Sequence, residues 1–259
     1  MDTFSSINTL PSRAPKLVFI VPYRDREQQY KFFSYHMKNV LSNYAENEYA
    51  ILYIHQKDTR PFNRGAIKNI GFLVVKDMYP DNYRHITLVF NDIDTMPFSS
   101  GFLPYCTVAG VVKHFYGFNY ALGGIVSINA GDFESINGFP NYWAWGYEDN
   151  ELNDRVNRTG SLKLDRSVFY SLLDKNILHL QCDLHRVINR NEYNKYIKKV
   201  KDDLTDISNL QYSVNKRTGM IDVTNFSTKL PYVKESDVVH DLRKGNKPFK
   251  RKPKMDMMM

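Results

Sequence analysis

Glu148 and Asp149 lie side by side after an aromatic stretch that contains both tryptophans of the chain, Trp143 and Trp145. Aromatic faces bind the apolar faces of sugars, and carboxylates accept hydrogen bonds from sugar hydroxyls. The run from Glu148 to Arg158 has helical spacing, so both carboxylates are expected at a helix start. Acidic residues are favoured there by the helix dipole, and tryptophans usually lie in cores. Taken alone, the stretch is therefore equally compatible with sugar binding and with a structural role.

A second acidic motif, Asp92-Ile93-Asp94, directly follows an apolar segment at residues 86–90. Alternate residues of an extended chain point the same way, so the two carboxylates can hold one hard divalent cation, Mn²⁺ or Mg²⁺, together with substrate phosphates. An aspartate-stabilised turn after a strand is the simpler explanation for such a pair. The position at the exit of a buried strand favours metal binding.

Basic and aromatic residues accompany the aspartate pair. Arg24, Arg26 and Arg64 are expected in loops at the same edge of the fold, where guanidinium groups can bind phosphates. Phe62 could stack on a nucleobase. Together with the aspartates, these residues indicate a nucleoside diphosphate and its metal. His179 has apolar neighbours, and on residue type alone it is more often a core histidine than a ligand.

Apolar periodicity predicts alternating strands and helices in the first half of the chain and a hairpin near its end. The predicted strands span residues 16–21, 49–55, 86–90, 125–128, 161–168, 176–180, 210–214 and 220–226, and the predicted helices span residues 27–44, 64–79, 148–158 and 186–204. The initial order of strands and helices is typical of an α/β fold with a parallel sheet and right-handed crossovers. Ligands of such sheets bind at the carboxyl ends of the strands, where the arginines and the aspartate pair are placed.

At 259 residues, with 42% hydrophobic and 24% charged residues, the chain has the size of one large globular domain. We expect an irregular N-terminal segment over residues 1–15, a folded domain over residues 16–240 and a basic, disordered tail over residues 241–259. Residues 243–254 hold seven of the 35 basic residues, and the remaining 28 equal the 28 acidic residues. Only this tail suits nucleic acid or an anionic surface, and a solvated terminus is the simpler explanation.

The two cysteines, Cys106 and Cys182, fit neither a metal-binding spacing nor a disulfide framework, which favours a reducing compartment. The first apolar segment is too short for a signal sequence or a membrane anchor. We therefore expect a cytoplasmic protein without a transmembrane helix. The abundance of Asn, Lys, Ile and Tyr is typical of an AT-rich genome, such as that of a large DNA virus.

Five motifs, taken in order, resemble those of the β-1,4-galactosyltransferase family, glycosyltransferase family 7. The likeness extends from about residue 16 to residue 226, and it is slightly closer to the xylosylprotein galactosyltransferase branch. The motifs are Pro22-Tyr23-Arg24-Asp25-Arg26, Phe62-Asn63-Arg64 with Gly71-Phe72, Asn91-Asp92-Ile93-Asp94, Gly123-Gly124, and Asn137-Gly138-Phe139-Pro140 with Trp145-Gly146-Tyr147-Glu148-Asp149.

The resemblance implies a GT-A glycosyltransferase fold for residues 16–240, in which helices flank a mostly parallel central sheet. It implies a metal-dependent, inverting transfer of galactose, or of a related hexose such as N-acetylgalactosamine, from a UDP-sugar to a terminal sugar hydroxyl of a glycan acceptor. By the same likeness, Asp149 is the catalytic base, and Asp94 and His179 bind Mn²⁺, with Mg²⁺ as the alternative metal. The implied donor-binding residues are Pro22, Tyr23, Arg24, Arg26, Phe62, Arg64 and Asp92, and the implied acceptor-binding residues are Trp145, Gly146, Glu148 and Gly124.

Several positions depart from the family pattern. Gln181 stands where the xylosylprotein branch has a second histidine, which leaves the third protein ligand of the metal open. Tyr147 replaces a glycine or a charged residue. Ala121 and Leu122 precede the glycine pair where galactose-selective members often carry an aromatic residue, so the donor sugar stays open. The alternative is a carbohydrate- or nucleotide-sugar-binding protein without catalysis, against which the two acidic pairs argue.

Overall fold

A computed structural model describes residues 9–180, 183–245 and 248–249 of the chain. Within them the strands are β1 Leu17–Tyr23, β2 Tyr49–Gln56, β3 Thr87–Asn91, β4 Thr95–Pro97, β5 Val111–Gly117, β6 Ile125–Asn129, β7 Lys163–Asp165, β8 Tyr170–Ser171, β9 Ile177–His179, β10 His185–Asn189, β11 Ser208–Asn215, β12 Met220–Ser227 and β13 Asp237–Asp241. The α-helices are α1 Glu27–Val40, α2 Arg64–Met78, α3 Ala130–Ser135, α4 Glu148–Arg158 and α5 Arg190–Ile197, and 3-10 turns span Tyr83–His85, Leu204–Asp206, Lys234–Ser236 and Leu242–Lys244.

A mixed, mostly parallel sheet forms the centre of the molecule. Its strand order is β11-β12-β2-β1-β3-β6-β5-β7, with β8 also paired with β5. β1 lies parallel between β2 and β3, whereas β6 is antiparallel to both of its neighbours. The sheet therefore confirms the predicted α/β fold with a mostly parallel sheet.

The central strand β1 is buried on both faces, which explains its continuous apolar sequence. Val18 and Ile20 pack in the core that contains α2, while Phe19 and Val21 pack in the core that contains α1. Because alternate side chains of a strand point to opposite faces, the two crossover helices cover opposite sides of the sheet. This layering leaves the carboxyl ends of β1, β2 and β3 together at one open edge.

The predicted helix at residues 148–158 and the predicted hairpin near the chain end are both present. The hairpin is β11–β12, and β12 extends the sheet by pairing parallel to β2, with Ile221 opposite Ile54. Other predicted elements are shorter than expected. The first helix ends at Val40 rather than at residue 44, and the predicted strand at 161–168 is reduced to β7.

The predicted helix over residues 186–204 is wrong in its first part. Residues His185–Asn189 form β10, which pairs antiparallel with β13, and only Arg190–Ile197 is α-helical. Asn189 stops the strand and caps the helix, because its Oδ1 accepts hydrogen bonds from the backbone N–H groups of Asn191 and Glu192. The partner strand β13 decides this outcome, and no element was predicted there.

Regular structure is described up to residue 244, in β13 and the 3-10 turn Leu242–Lys244. Asp241 is the last residue of β13, and the Leu242 N–H donates a hydrogen bond of 2.9 Å to the carbonyl of Leu184. Most of the predicted basic tail, residues 246–247 and 250–259, lies outside the described residues, as do Gln181 and Cys182. Every helix in the described part of the chain is too short or too polar to traverse a lipid bilayer.

Gly65, in the first turn of α2, allows that helix to approach the loop at Pro140. A Cβ atom at residue 65 would lie 2.0 Å from the carbonyl oxygen of Pro140. We expect Gly65→Ala to lower the free energy of unfolding by about 1–3 kcal/mol, because overpacking outweighs the better helix propensity of alanine. Urea unfolding of the variant measures this loss.

The exposed Gln28 of α1 provides the matched control. We expect Gln28→Ala to change the free energy of unfolding by no more than about 0.5 kcal/mol. A Gly65→Ala protein that unfolds at the wild-type urea concentration would show that the loop at Pro140 yields without cost.

Candidate active site

An open cleft of about 1150 Å³ lies at the carboxyl ends of β1, β2 and β3. This is the edge at which the strand order predicted a ligand site. Most of the predicted site residues line the cleft, namely Pro22, Arg24, Arg26, Phe62, Arg64, Asp92, Asp94, Gly124, Trp145, Asp149 and His179.

Three predicted site residues stand outside the cleft wall. The Tyr23 ring packs against Tyr30 and His55, with centroid distances of 5.6 Å and 4.9 Å. Glu148 is buried, with 3% of its surface exposed. Gly146 has φ +108° in the loop before α4 and is not among the residues that line the cleft. Their predicted contacts with donor or acceptor stay predictions.

The Arg64 guanidinium joins carboxylates from two distant segments. Its Nη2 lies 2.5 Å from Asp92 Oδ1 at the exit of β3, and its Nη1 lies 2.6 Å from Glu148 Oε1 at the start of α4. Asp149 Oδ2 lies 3.5 Å from the same Nη1. One side chain of α2 therefore fixes β3 and α4 relative to each other.

The pKa values of Asp92 and Glu148, which both contact Arg64, are shifted in opposite directions. Burial alone would raise the pKa of Asp92, but the charges of Arg64 and Lys68 and the hydrogen bond from Arg64 together hold that pKa below its ordinary value. Burial, reinforced by the neighbouring Asp149 carboxylate, raises the pKa of Glu148 above its ordinary value. The two acidic side chains that share Arg64 thus differ in their tendency to be ionised.

Arg64 is held in place by the buried Asn63, the N-cap of α2. Asn63 Oδ1 accepts a hydrogen bond of 2.9 Å from the Ala66 N–H, and the Asn63 backbone N–H donates to the Gln56 side chain at 2.8 Å. Asn63 Nδ2 donates to the carbonyl of Asn141 at 3.1 Å. The Phe62-Asn63-Arg64 motif thereby connects the end of β2 to the loop that precedes α4.

Asp149 reaches the cleft beside Gly123 and Gly124. A Cβ on Gly123 would lie 2.4 Å from Asp149 Oδ2, so a larger residue there would displace the carboxylate from its present position. Gly124 has φ +74°, and a Cβ there would lie 2.3 Å from the carbonyl of Tyr116. The carbonyl of Gly124 accepts a hydrogen bond of 3.1 Å from the Asp92 N–H. The glycine pair therefore brings the two acidic motifs together.

His114, which the sequence analysis did not single out, supports the glycine pair from behind. Its Nε2 lies 3.0 Å from the carbonyl oxygens of both Tyr116 and Gly123, and its Nδ1 accepts a hydrogen bond of 3.0 Å from Arg166 Nε. Burial, with the Arg166 charge, lowers the pKa of His114 to about 4. The ring is therefore neutral near pH 7 and donates from Nε2.

The sequence analysis also did not single out Lys68, the only buried lysine in the described part of the chain. It is 1% exposed, and its Nζ lies 2.8 Å from Asp149 Oδ1 and 4.5 Å from the centre of the Phe139 ring. The signal available in the sequence was its spacing, four residues after Arg64 on the same helix face. Two cations near a helix N-terminus oppose the helix dipole, which points to acidic partners elsewhere in the fold.

Asp94 and His179 face each other across a gap suited to one cation. Asp94 Oδ2 and His179 Nε2 are 3.9 Å apart, too far for a direct hydrogen bond but within reach of one ion with ligand bonds of roughly 2.0–2.2 Å. Pairing of β4 with β9 sets Thr95 opposite His179. The Tyr116 hydroxyl, 3.4 Å from His179 Nδ1, leaves Nε2 directed at Asp94.

The donor atoms at this gap fit Mn²⁺, which accepts carboxylate and imidazole ligands. Burial and the nearby Asp92 charge raise the pKa of Asp94, and a bound cation would oppose that rise. The described residues contain no group of three acidic, histidine or cysteine side chains arranged around one metal. Gln181, which stands where the xylosylprotein branch has a second histidine, lies outside the described residues.

The two tryptophans have different environments. Trp143 lies in the core, stacked on Phe226 with a centroid distance of 5.6 Å and an interplanar angle of 9°. Trp145 lines the cleft, and its backbone N–H donates a hydrogen bond of 2.7 Å to the carbonyl of Val187 in β10. Of the two tryptophans, Trp145 is therefore the one placed where its ring can contact a bound sugar.

Known proteins resemble the chain over most of its length. A family model described as the N-terminal region of glycosyl transferase group 7 matches residues 11–107, and one described as the N-terminal domain of galactosyltransferase matches residues 107–170. The xylosylprotein 4-beta-galactosyltransferase of Caenorhabditis elegans is 30% identical over 217 residues, which cover 78% of this chain and 72% of that protein. The chain belongs to the β-1,4-galactosyltransferase family. It is thus a member of a family of sugar-transferring enzymes.

Other members of the family match a shorter region. Beta-1,4-galactosyltransferase 6 of Homo sapiens is 32% identical over 155 residues, so the match spans 56% of this chain but only 39% of that protein. The catalytic domain of Drosophila beta1,4-galactosyltransferase 7, solved with xylobiose, has a TM-score of 0.64 at 21% identity and covers 89% of this chain and 97% of its own. A mutant of that protein, solved with manganese, UDP-Gal and xylobiose, has a TM-score of 0.62 at 20% identity. These structures confirm the GT-A fold.

The raised pKa of Glu148 makes stability depend on pH. The folded protein binds this proton more tightly than the unfolded chain, so the free energy of unfolding falls as pH rises from the ordinary value of 4.5 through the raised value. Glu148→Gln keeps an acceptor for Arg64 but has no proton to lose. We expect its stability to fall less over that interval, as measured by urea unfolding at a series of pH values.

Glu46→Gln is the control, because Glu46 is exposed. We expect its stability to follow the wild-type curve. If the free energies of unfolding of Glu148→Gln and the wild-type protein change in parallel between pH 4 and pH 8, the pKa of Glu148 is not raised by folding.

Proposed function

We propose that the chain transfers galactose, or a related hexose such as N-acetylgalactosamine, from a UDP-sugar to a terminal sugar hydroxyl of a glycan acceptor, with inversion at the anomeric carbon. One arrangement carries this proposal. The Asp149 carboxylate stands in the cleft beside Gly123, and the Asp92–Asp94 motif stands in the same cleft, connected through Gly124 and Arg64.

Asp149 serves as the general base of the proposed transfer. Its carboxylate accepts the proton of the acceptor hydroxyl while that oxygen forms a bond to the anomeric carbon of the donor. The bond from the anomeric carbon to the UDP oxygen breaks, and UDP leaves with the electron pair. The Trp145 face and the cleft wall hold the acceptor sugar in the orientation that this displacement requires.

The donor half of the cleft is basic and aromatic. Arg24 and Arg26 follow β1, and Phe62 and Arg64 follow β2, so guanidinium groups and one aromatic ring converge on the same space. The Arg24 guanidinium hydrogen-bonds to the carbonyl of Arg60, which fixes its position on the wall. These groups suit the diphosphate and the uracil ring of a UDP-sugar.

A divalent cation completes the donor site in this proposal. Mn²⁺ bound between Asp94 and His179 would neutralise negative charge that develops on the leaving diphosphate. The manganese, UDP-Gal and xylobiose in the mutant Drosophila structure support the same set of ligands for a protein of this fold. The xylosylprotein galactosyltransferase relative supports a xylose-terminated acceptor as the first one to test.

The proposed base is tested with Asp149→Asn. The amide keeps the shape of the carboxylate but cannot accept the proton, so we expect turnover at saturating UDP-Gal to fall by roughly 10²–10⁴-fold while UDP-Gal binding persists. Turnover and donor affinity are measured on the same preparation, together with its melting curve.

Asp154→Asn is the matched control on α4, because Asp154 pairs with Lys199 away from the cleft. We expect it to retain wild-type turnover. A folded Asp149→Asn protein with near wild-type turnover would remove Asp149 from the mechanism. A wild-type protein that binds UDP-sugars but transfers none to a panel of acceptors would instead be a nucleotide-sugar-binding protein.

The proposed metal site is tested with Asp94→Asn and with chelation. We expect Asp94→Asn to abolish donor binding and turnover and to leave the fold intact, and we expect chelator to abolish wild-type activity until Mn²⁺ is added back. Asp174→Asn, in the turn before β9, serves as the control with unchanged metal dependence. Full activity of rigorously metal-free protein would contradict the metal requirement.

A further inference from the structure

Lys68 is a buried cation whose role the proposed reaction does not yet explain. Its side chain is 2% exposed, lies outside the cleft wall and extends from the second turn of α2 to Asp149 Oδ1 at 2.8 Å. Lysine is seldom buried, because taking an ammonium group out of water is costly unless an opposite charge compensates it. The Phe139 ring, at 4.5 Å, supplies the remaining contact with the ammonium group.

The surroundings of Asp149 show why a second cation is needed there. Arg64 is already held by Asp92 at 2.5 Å and Glu148 at 2.6 Å, and it reaches Asp149 only at 3.5 Å. Three carboxylates therefore meet one guanidinium, and two of them belong to consecutive residues. Lys68 makes the shorter ionic contact with Asp149.

The other titratable groups near Asp149 cannot replace this cation. Glu148 precedes Asp149 on α4 and is itself acidic, so it cannot supply a positive charge. His114 on β5 is neutral near pH 7, because burial and Arg166 lower its pKa to about 4. Among the described residues, Lys68 is therefore the cation that pairs most closely with Asp149.

We propose that Lys68 is a positioning residue that holds the Asp149 carboxylate in the orientation required for proton abstraction. Its ammonium group donates a hydrogen bond to Oδ1, which leaves Oδ2 beside Gly123 at the cleft. The proton of the acceptor hydroxyl goes to Asp149. This inference rests on the proposed function, because it assigns Lys68 a role through the proposed base.

A purely structural salt bridge between α2 and α4 is the competing explanation, and turnover of folded variants separates the two. Lys68→Met keeps the length of the buried stem without the charge, and Lys68→Gln keeps a hydrogen-bond donor. We expect either variant to lose turnover by about 10- to 100-fold while the KM for UDP-Gal stays near the wild-type value. A structural bridge predicts lower stability with wild-type turnover per folded molecule.

A double variant makes the test specific to Asp149. If Lys68 acts through this carboxylate, Lys68→Met combined with Asp149→Asn turns over no more slowly than Asp149→Asn alone. Multiplied losses in the double variant would overturn the inference. Lys76→Met is the matched control, because it removes an ion pair of 2.7 Å with Glu134 from the same helix away from the cleft, and we expect it to retain wild-type turnover.

A structural measurement independent of turnover completes the test. Crystal structures of the wild-type protein and of Lys68→Met locate the Asp149 carboxylate. We expect Oδ2 beside Gly123 in the wild-type protein and a rotated carboxylate in the variant, because the ammonium group no longer binds Oδ1. An unchanged carboxylate in the variant would overturn the inference. If the wild-type protein transfers no sugar, the proposed function fails, while this comparison still decides the role of Lys68.

Discussion

The contact of Arg64 with Asp92 and Glu148 is the interaction on which the geometry of the cleft depends. It joins the exit of β3 to the start of α4, segments separated by more than 50 residues, through one side chain of α2. Buried carboxylates are tolerated only when they are paired, so each acid fixes the position of the guanidinium and is fixed by it. Removal of any one partner would leave a charge with poor compensation in the wall of the site.

Neighbouring groups acquire different properties in this cluster. Glu148 is buried and its pKa is raised, whereas Asp149, one residue later, faces the cleft and is paired with Lys68. Divergent environments of adjacent acids are a common way to assign them separate tasks in one active site. Here the buried Glu148 contacts Arg64, whereas Asp149 lines the cleft.

Much of the framework could be predicted because its signals are local. The apolar run of β1, the spacing of Leu152 and Val156 in α4, and the alternation in the β11–β12 hairpin are each contained in about ten residues. The helix predicted over residues 186–204 was wrong in its first part because its signal was also local. Its periodicity is compatible with a helix, but pairing with β13, about 50 residues later, stabilises a strand in its first part.

The sequence by itself determined the α/β class, the family and the edge of the sheet that carries the arginines and the two acidic motifs. Those features follow from residue order and from periods of two and 3.6 residues. Only the tertiary structure placed Trp143 in the core and Trp145 in the cleft, brought His179 within 3.9 Å of Asp94 through β4–β9 pairing, and buried Lys68 against Asp149. Each of these contacts joins residues distant along the chain, and packing and charge compensation in the folded interior select them, because no local pattern records which distant side chain will be the partner.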